Sequence, residues 1–312
     1  MGTDQASATS VEERVDVPRR VPVTVLLPVL NEEENLGAAL DSVRWADRVI
    51  VVDSHSTDAT VEIARRAGAD VVQFDYPGYG PKKMNWSLEN LDLGNEWVLI
   101  LAADERVPAA LRDEIEVAVS NPTADGYCLD KEFIFMGRRL RCHSPNWDLR
   151  LFRHEVGRFE DLGLHDLPGT GDMEVHEHVA LRGRVGFLET PLLHDDYRGL
   201  TPWLERHNRY ATWEAHLYRK LRSEPVGVGP LALLRLDPLR RKRALRRIWV
   251  RLPFRSPLRF FVWYALRGGF LDGRPGFVFC VLMGYYEFVI GAKIWELERA
   301  GRVGEVRADR RR

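Results

Sequence analysis

The feature that most constrains the fold is a recurrent pairing: a short, apolar, largely β-branched run that passes directly into carboxylate or amide side chains. Val23-Thr-Val-Leu-Leu-Pro-Val29 leads into Asn31-Glu32-Glu33, Arg48-Val-Ile-Val-Val closes on Asp53, and Trp97-Val-Leu-Ile-Leu101 precedes Asp104-Glu105. Strands buried on both faces of a parallel sheet read as such continuous runs, because neither face meets water. Ala69–Phe74 is a further run of the same kind. Between the runs, Leu36, Leu40 and Val43 recur at helical spacing within Asn31–Val43. Val61, Ile63, Ala64 and Ala67 mark a second helix, which Gly68 ends. Strand and helix alternating in units of about 25–30 residues predict an α/β fold with a doubly wound, mostly parallel sheet.

Beyond about residue 125 the pattern loosens: aromatic and basic residues interleave with His, Gly and Asp up to about 200, predicting a mixed, loop-rich half. Residues 201–222 carry Trp203, Leu204, Tyr210, Trp213, Ala215 and Leu217 on an amphipathic helical pattern. Residues 1–20 are polar, lack an apolar signal-peptide core and read as a disordered leader. The 312-residue chain has a net charge of −1, which gives no field of the kind that nucleic acid requires. Its three cysteines, Cys128, Cys142 and Cys280, form no CxxC pair and suggest a reducing compartment.

In open α/β sheets, ligands bind outside the carboxyl ends of the strands. Asn31-Glu32-Glu33, Asp53 with Ser54 behind it, and Asp104-Glu105 are therefore expected to converge on one cleft. A carboxylate after the second strand suits a nucleobase or ribose. One after the fourth suits a divalent cation bridging two phosphates, Mg2+ or Mn2+, because these are hard, oxygen-seeking ions. Any one of these acids, taken alone, also fits a helix N-cap. Neither GxGxxG nor GxxxxGK[ST] occurs, so phosphate charge has to be met by metal and by side chains, with Lys82, Lys83 and Arg150 as candidates. Arg150 also fits an ordinary ion pair, Lys83 a solvated surface and His55 a turn. His176-Glu177-His178, with His165 upstream, invites a zinc reading, but no cysteine or HExxH spacing supports it.

Pro28-Val-Leu-Asn31-Glu32-Glu33, Val51-Val-Asp53-Ser54-His-Ser56-Thr57-Asp58 and Trp97-Val-Leu-Ile-Leu-Ala-Ala-Asp104-Glu105 resemble successive motifs of the family-2 inverting glycosyltransferases. The best match is the bacterial branch that includes lipopolysaccharide inner-core glucosyltransferases. It continues through Gly80-Pro-Lys82-Lys83-Met-Asn85, Asp148-Leu-Arg150-Leu-Phe152-Arg153, Val175-His176-Glu177, Leu193-His194-Asp-Asp-Tyr197 and Gly269-Phe-Leu-Asp272-Gly273. The resemblance covers nearly everything from 22 to 298 and implies a GT-A fold. It implies that Pro28, Glu32 and Asp53 hold the uridine part of a nucleotide-sugar donor, and that Asp104 binds the metal. It further implies that Glu177 is the base that deprotonates the acceptor hydroxyl and that His194 reaches the metal or diphosphate. One departure stands out: Ala102 occupies the first acid of the Asp-x-Asp motif, so that Glu105 or water has to substitute, or donor binding weakens. The implied division is a leader (1–20), a nucleotide-sugar half (21–125), an acceptor-binding half (126–222) and a membrane-associating helical region (223–312).

From Arg235 to Arg259 the chain is loaded with basic residues, among them Arg240, Arg241, Lys242, Arg243, Arg246, Arg247 and Arg251, and Asp237 is the only acid. That asymmetry points to an anionic membrane surface. Leu258–Leu266 and Pro275–Ala292 are strongly apolar and aromatic, but the second carries Glu287, and a charge at mid-bilayer costs roughly 2.5–3.5 kcal/mol. Helices lying in the membrane interface are favoured over a span; a buried core pair is the plain alternative. The expected activity is inverting sugar transfer from a nucleotide donor, UDP in the first instance, to a lipid-linked saccharide at the cytoplasmic face of the inner membrane. The alternatives are a catalytically impaired scaffold and a nucleotidyltransferase on a related sheet.

Overall fold

The computed structural model describes residues 20–78, 81–162, 172, 177–225 and 238–309; side chains are described for 241, 243–299 and the earlier segments. Residues 1–19 of the leader, Gly80, His165, His176 and Arg235–Asp237 lie outside the described residues, as do the side chains of Arg240 and Lys242. In chain order the strands are β1 (Val21–Val29), β2 (Ala46–Asp53), β3 (Asp70–Gln73), β4 (Trp97–Ile100), β5 (Glu105–Arg106), β6 (Gly126–Leu129), β7 (Lys131–Phe135), β8 (Arg138–Arg139), β9 (Asp148–Arg153), β10 (Gly157–Phe159), β11 (Val179–Leu181), β12 (Val185–Phe187) and β13 (Leu192–Asp195). The α-helices are α1 (Leu36–Ser42), α2 (Thr60–Arg66), α3 (Lys83–Asn90), α4 (Ala109–Ser120), α5 (Leu200–Ser223), α6 (Pro238–Trp249), α7 (Arg255–Phe261) and α8 (Gly273–Asp309).

The main sheet has seven strands in the order β12-β6-β9-β4-β1-β2-β3. It is parallel except at β9, which runs against both β4 and β6. The doubly wound, mostly parallel sheet predicted from the sequence is present. Alternation along β1 sends Val23, Val25, Leu27 and Val29 into one core with Leu36 and Leu40 of α1, Ala64 of α2, and Leu111 and Ile115 of α4. Leu26 faces the other way, into a core with Val52, Ile100, Phe152, and Met84 and Leu88 of α3. Both faces of the central strands are thus covered, which is why those strands read as unbroken apolar runs. A second sheet, β5-β13-β7-β8, starts directly after β4. Its β13 pairs antiparallel with β5, setting His194 opposite Glu105.

The predicted helix at Asn31–Val43 is shorter, beginning at Leu36. Asn31 has φ 53°, a left-handed conformation in which no helix can start, and residues 31–35 form the turn that leads into α1. α5 extends over Leu200–Ser223 as the amphipathic pattern anticipates. It packs along α8 through Ala211, Ala215 and Tyr218 against Ile290 and Ile294. A further cluster joins the second sheet to α8: Phe133, Phe135, Leu140 and Trp203 pack with Phe279 and Cys280.

The arginine-rich segment is used differently from the sequence expectation. Arg246 makes a two-pronged contact with Glu214 at 3.0 Å to each oxygen, Arg247 pairs with Glu224 at 3.2 Å, and Arg243 pairs with Glu160. Arg251 donates to the carbonyls of Leu221, Arg222 and Glu224. These guanidiniums fasten α6 and the turn after it to α5, to its C-terminal end and to the loop after β10. Composition records the charge but not its partners, which come from elements remote in sequence. Glu287 is likewise buried rather than set in lipid: Arg255 reaches its Oε1 at 2.8 Å and Arg259 its Oε2 at 2.7 Å. By length and composition, Gly269–Arg299 is the one helical stretch among the described residues long and apolar enough to cross a membrane, and 33% of its apolar window is buried inside the protein.

Candidate active site

The carboxyl ends of β1 and β2 are bound to each other through the residues that the sequence singles out. Pro28 is the penultimate residue of β1 and pairs with Val52. Asn31 Oδ1 accepts the Thr57 N–H at 2.8 Å, and the Asn31 N–H donates to Ser56 Oγ at 2.8 Å. The Asp53 carboxylate, fully buried, accepts the Ser56 N–H at 3.0 Å and its hydroxyl. Ser54 Oγ donates to Asp172, and Lys83 bridges the same carboxylate at 3.1 Å and the Val29 carbonyl at 2.9 Å. Lys83 is therefore a buried cross-link at the strand ends, not a solvated lysine. His55 also has a left-handed φ, 60°, consistent with its expected part in the turn.

A second group gathers beyond β4. Asp104 Oδ2 lies 3.3 Å from His194 Nε2, and the Asp104 carbonyl accepts the Asp195 N–H at 2.9 Å. Burial alone would raise the Asp104 pKa; His194, by charge and hydrogen bond, with Arg206 and Arg198 farther off, outweighs it and holds this carboxyl well below the usual carboxylate range. Glu105 is turned inward, where it accepts the Ala102 N–H at 2.9 Å and pairs with Arg150 at 2.9 Å. It thus fixes the turn that presents Asp104. Arg150, although desolvated, is held charged by Glu105, Asp148 and Asp104, which raise its pKa.

Glu177 and Lys82 form a buried ion pair, with Nζ to Oε1 at 2.7 Å and the ammonium 5.8 Å from the centre of the Trp213 ring. Lys82 adjoins Lys83, so α3 begins with two lysines facing two acids, Glu177 and Asp172.

A third set includes Glu32, which the sequence singled out, and Asn35, Arg198 and Arg206, which it did not. Arg198 bonds Glu32 at 2.7 Å and Asp196 at 2.9 Å, Arg206 bonds Asp196, and Asn35 donates to Glu32 at 3.0 Å and to Asp196 at 2.9 Å. Burial would raise Asp196, but hydrogen bonds from Arg198, Asn35 and Arg206 hold it well below the usual range. Burial dominates at Glu32 and raises its pKa despite Asn35 and Arg198. This network bolts the β1 turn to the start of α5. The only signal available was Asp196-Tyr-Arg198, directly after His194.

The Glycosyl transferase family 2 model matches residues 24–173. An uncharacterized glycosyltransferase of Rickettsia prowazekii is 37% identical over 285 residues, covering 88% of this chain and 87% of that protein. The chain belongs to glycosyltransferase family 2. This family-2 glycosyltransferase is also 26% identical to the lipopolysaccharide core biosynthesis glycosyltransferase LpsC of Rhizobium meliloti, with 89% and 93% of the two chains covered. Among solved structures, the mannosyltransferase PcManGT of Pyrobaculum calidifontis, in complex with GDP-Man and Mn2+, aligns with a TM-score of 0.50 at 21% identity, covering 88% of this chain and 87% of that one. That likeness supports the GT-A fold for this family-2 enzyme.

Proposed function

We propose that the chain is an inverting transferase that moves a sugar from a nucleotide donor, with UDP as the carrier, to a lipid-linked saccharide. It acts as a peripheral or monotopic protein at the cytoplasmic face of the inner membrane, with residues 21–125 as the donor half, 126–222 as the acceptor half and 223–312 as the membrane-associating region. The observation that carries this reading is the Asp104–His194 pair, set beside strand ends lined by polar side chains. The GDP-Man and Mn2+ complex of the Pyrobaculum enzyme supports a nucleotide-sugar donor, and the lipopolysaccharide role in the LpsC name supports a saccharide acceptor; UDP as the carrier rests on the motif resemblance alone.

In this reading Pro28, Asn31, Glu32, Asp53 and Ser54 surround the nucleoside, and Lys83 and Arg150 supply positive charge toward the diphosphate. A carboxylate kept ionised beside an imidazole suits Mg2+ or Mn2+. Among the described residues no group of three or more His, Cys, Asp or Glu gathers as a cation site, and Asp104 and His194 are the residues that would hold the ion. A cation held there would supply positive charge to offset the charge developing on the leaving diphosphate. The acceptor oxygen bonds to the anomeric carbon as the bond from that carbon to the diphosphate oxygen breaks, and Glu177 takes the hydroxyl proton.

Asp104→Asn keeps the size of the side chain but removes the charge. Calorimetry is expected to show Mn2+-dependent UDP binding in the wild type and its loss in this variant, with far-UV circular dichroism unchanged. Equal affinity in the two proteins would take Asp104 out of the site. The nucleotidyltransferase alternative predicts release of pyrophosphate from a nucleoside triphosphate and a sugar phosphate, whereas the proposed reaction releases UDP from UDP-sugar.

A further inference from the structure

α8 has two faces of opposite chemistry. Phe279, Cys280, Glu287, Ile290 and Ile294 turn inward and are buried. Phe277, Val281, Tyr285, Phe288 and Trp295 turn outward, each between 43% and 62% exposed. At 3.6 residues per turn these five fall within an arc of about 80° and form a stripe about 27 Å long. Neighbouring elements extend it: Phe261, Leu266, Phe270 and Leu271 are exposed, and Phe254, in a left-handed conformation just ahead of α7, is 82% exposed. So many large apolar side chains on one side exceed the scattered exposure of an ordinary surface.

The charge pattern identifies the occupant. From Pro238 to Trp295 the chain holds two acids, Asp272 and Glu287, and both are 1% exposed. The surface from Pro238 to Trp295 therefore shows no carboxylate, while Arg241, Arg267 and Arg274 are exposed; the next acids, Glu296 and Glu298, are exposed at the C-terminal end of the stripe. A membrane-crossing α8 would carry into hydrocarbon the elements packed on its inner face, with the Glu287–Arg255 and Glu287–Arg259 pairs and the polar helix α5.

We infer that this aromatic face lies in the headgroup–acyl boundary of an anionic bilayer with the α8 axis along the membrane plane. Insertion of side chains holds it there, not Arg243, Arg246 and Arg247 of α6, which Glu160, Glu214 and Glu224 occupy. The purpose of the surface rests on the membrane-borne acceptor proposed above; its existence is tested separately.

The test is flotation of the full chain with vesicles of phosphatidylcholine and phosphatidylglycerol. Wild type is expected to float and to stay bound in molar salt, and an alkaline carbonate wash is expected to release it. Combining Phe277→Ser, Phe288→Ser and Trp295→Ser, all on exposed positions, is expected to lower vesicle partition at least about tenfold while Mn2+–UDP affinity stays unchanged. Undiminished flotation of the triple variant overturns the inference, as does retention of wild type through the carbonate wash. A lipid-free wild-type dimer that the triple variant breaks, seen by light scattering, overturns it in favour of a second copy. If flotation falls as expected but Glu177→Gln transfers sugar at the wild-type rate, the surface stands and the proposed chemistry fails.

Discussion

Glu177→Gln is expected to bind UDP-sugar and Mn2+ about as well as wild type and to lose transfer by roughly 10²–10⁴-fold, the usual worth of a positioned base. The amide keeps an oxygen within reach of Lys82 Nζ, 2.7 Å away in the wild type, so the geometry at the start of α3 is preserved while proton uptake is lost. Asp172 is the informative comparison. Its carboxylate is held by Lys83 and Ser54 beside the end of β1, so Asp172→Asn is expected to weaken donor binding first. Asp166 and Glu174 are further acids in the same stretch of sequence; they lie outside the described residues, and amide variants there complete the comparison. Single-turnover transfer to the acceptor separates the cases. A Glu177→Gln rate near wild type would end the assignment of the base.

Glu287→Ala is expected to destabilise the fold by about 3–5 kcal/mol, because it leaves two largely buried guanidiniums without the carboxylate they share. Arg255 also lies over the ring of Tyr218 in α5, and Arg259 lies 4.5 Å from the centre of the Trp249 ring in α6, so one carboxylate joins four helices. Thermal denaturation should show a fall in Tm on the order of 10 °C for a chain of this size. Replacing all three members by apolar residues of similar volume should recover much of the loss, since a buried ion pair contributes little net stability over good packing. A single alanine variant that melts like wild type would mean that this cluster already admits water.

The central strands were legible because burial on two faces leaves a mark on every residue of β1, β2 and β4, and their mostly parallel pairing because β–α alternation limits the topology. The strand-end acids were legible for the same reason: each is tied to the strand before it. What the sequence did not show is pairing between distant residues. Lys82 and Glu177 are 95 positions apart, Arg198 and Glu32 are 166 apart, and neither has a local pattern that announces the other. The α6 arginines illustrate the same limit from the opposite side. Seen as a run, they suggested headgroups; folded, they meet acids from α5 and from two loops. Asn31 shows a local limit, since its left-handed turn delays α1 although the apolar spacing already looks helical.

The aromatic contact between β7 and α8 bears on how this enzyme can be handled. The His194 ring meets Phe133 edge-on with centres 5.0 Å apart, and Phe133 in turn lies 5.5 Å from Phe279. α8 is therefore the back wall of the strand pair that carries His194, and not a detachable tether. A chain cut near residue 230 would lose Phe279 and Cys280 and would leave Phe133, Phe135 and Trp203 facing water. Deleting large buried side chains from such a cluster costs several kcal/mol each. A soluble fragment made by truncation would therefore lack the support that orients its own imidazole. On the membrane contact inferred above, polar substitutions on the outer stripe of an intact chain are the route to a lipid-free form that keeps this support.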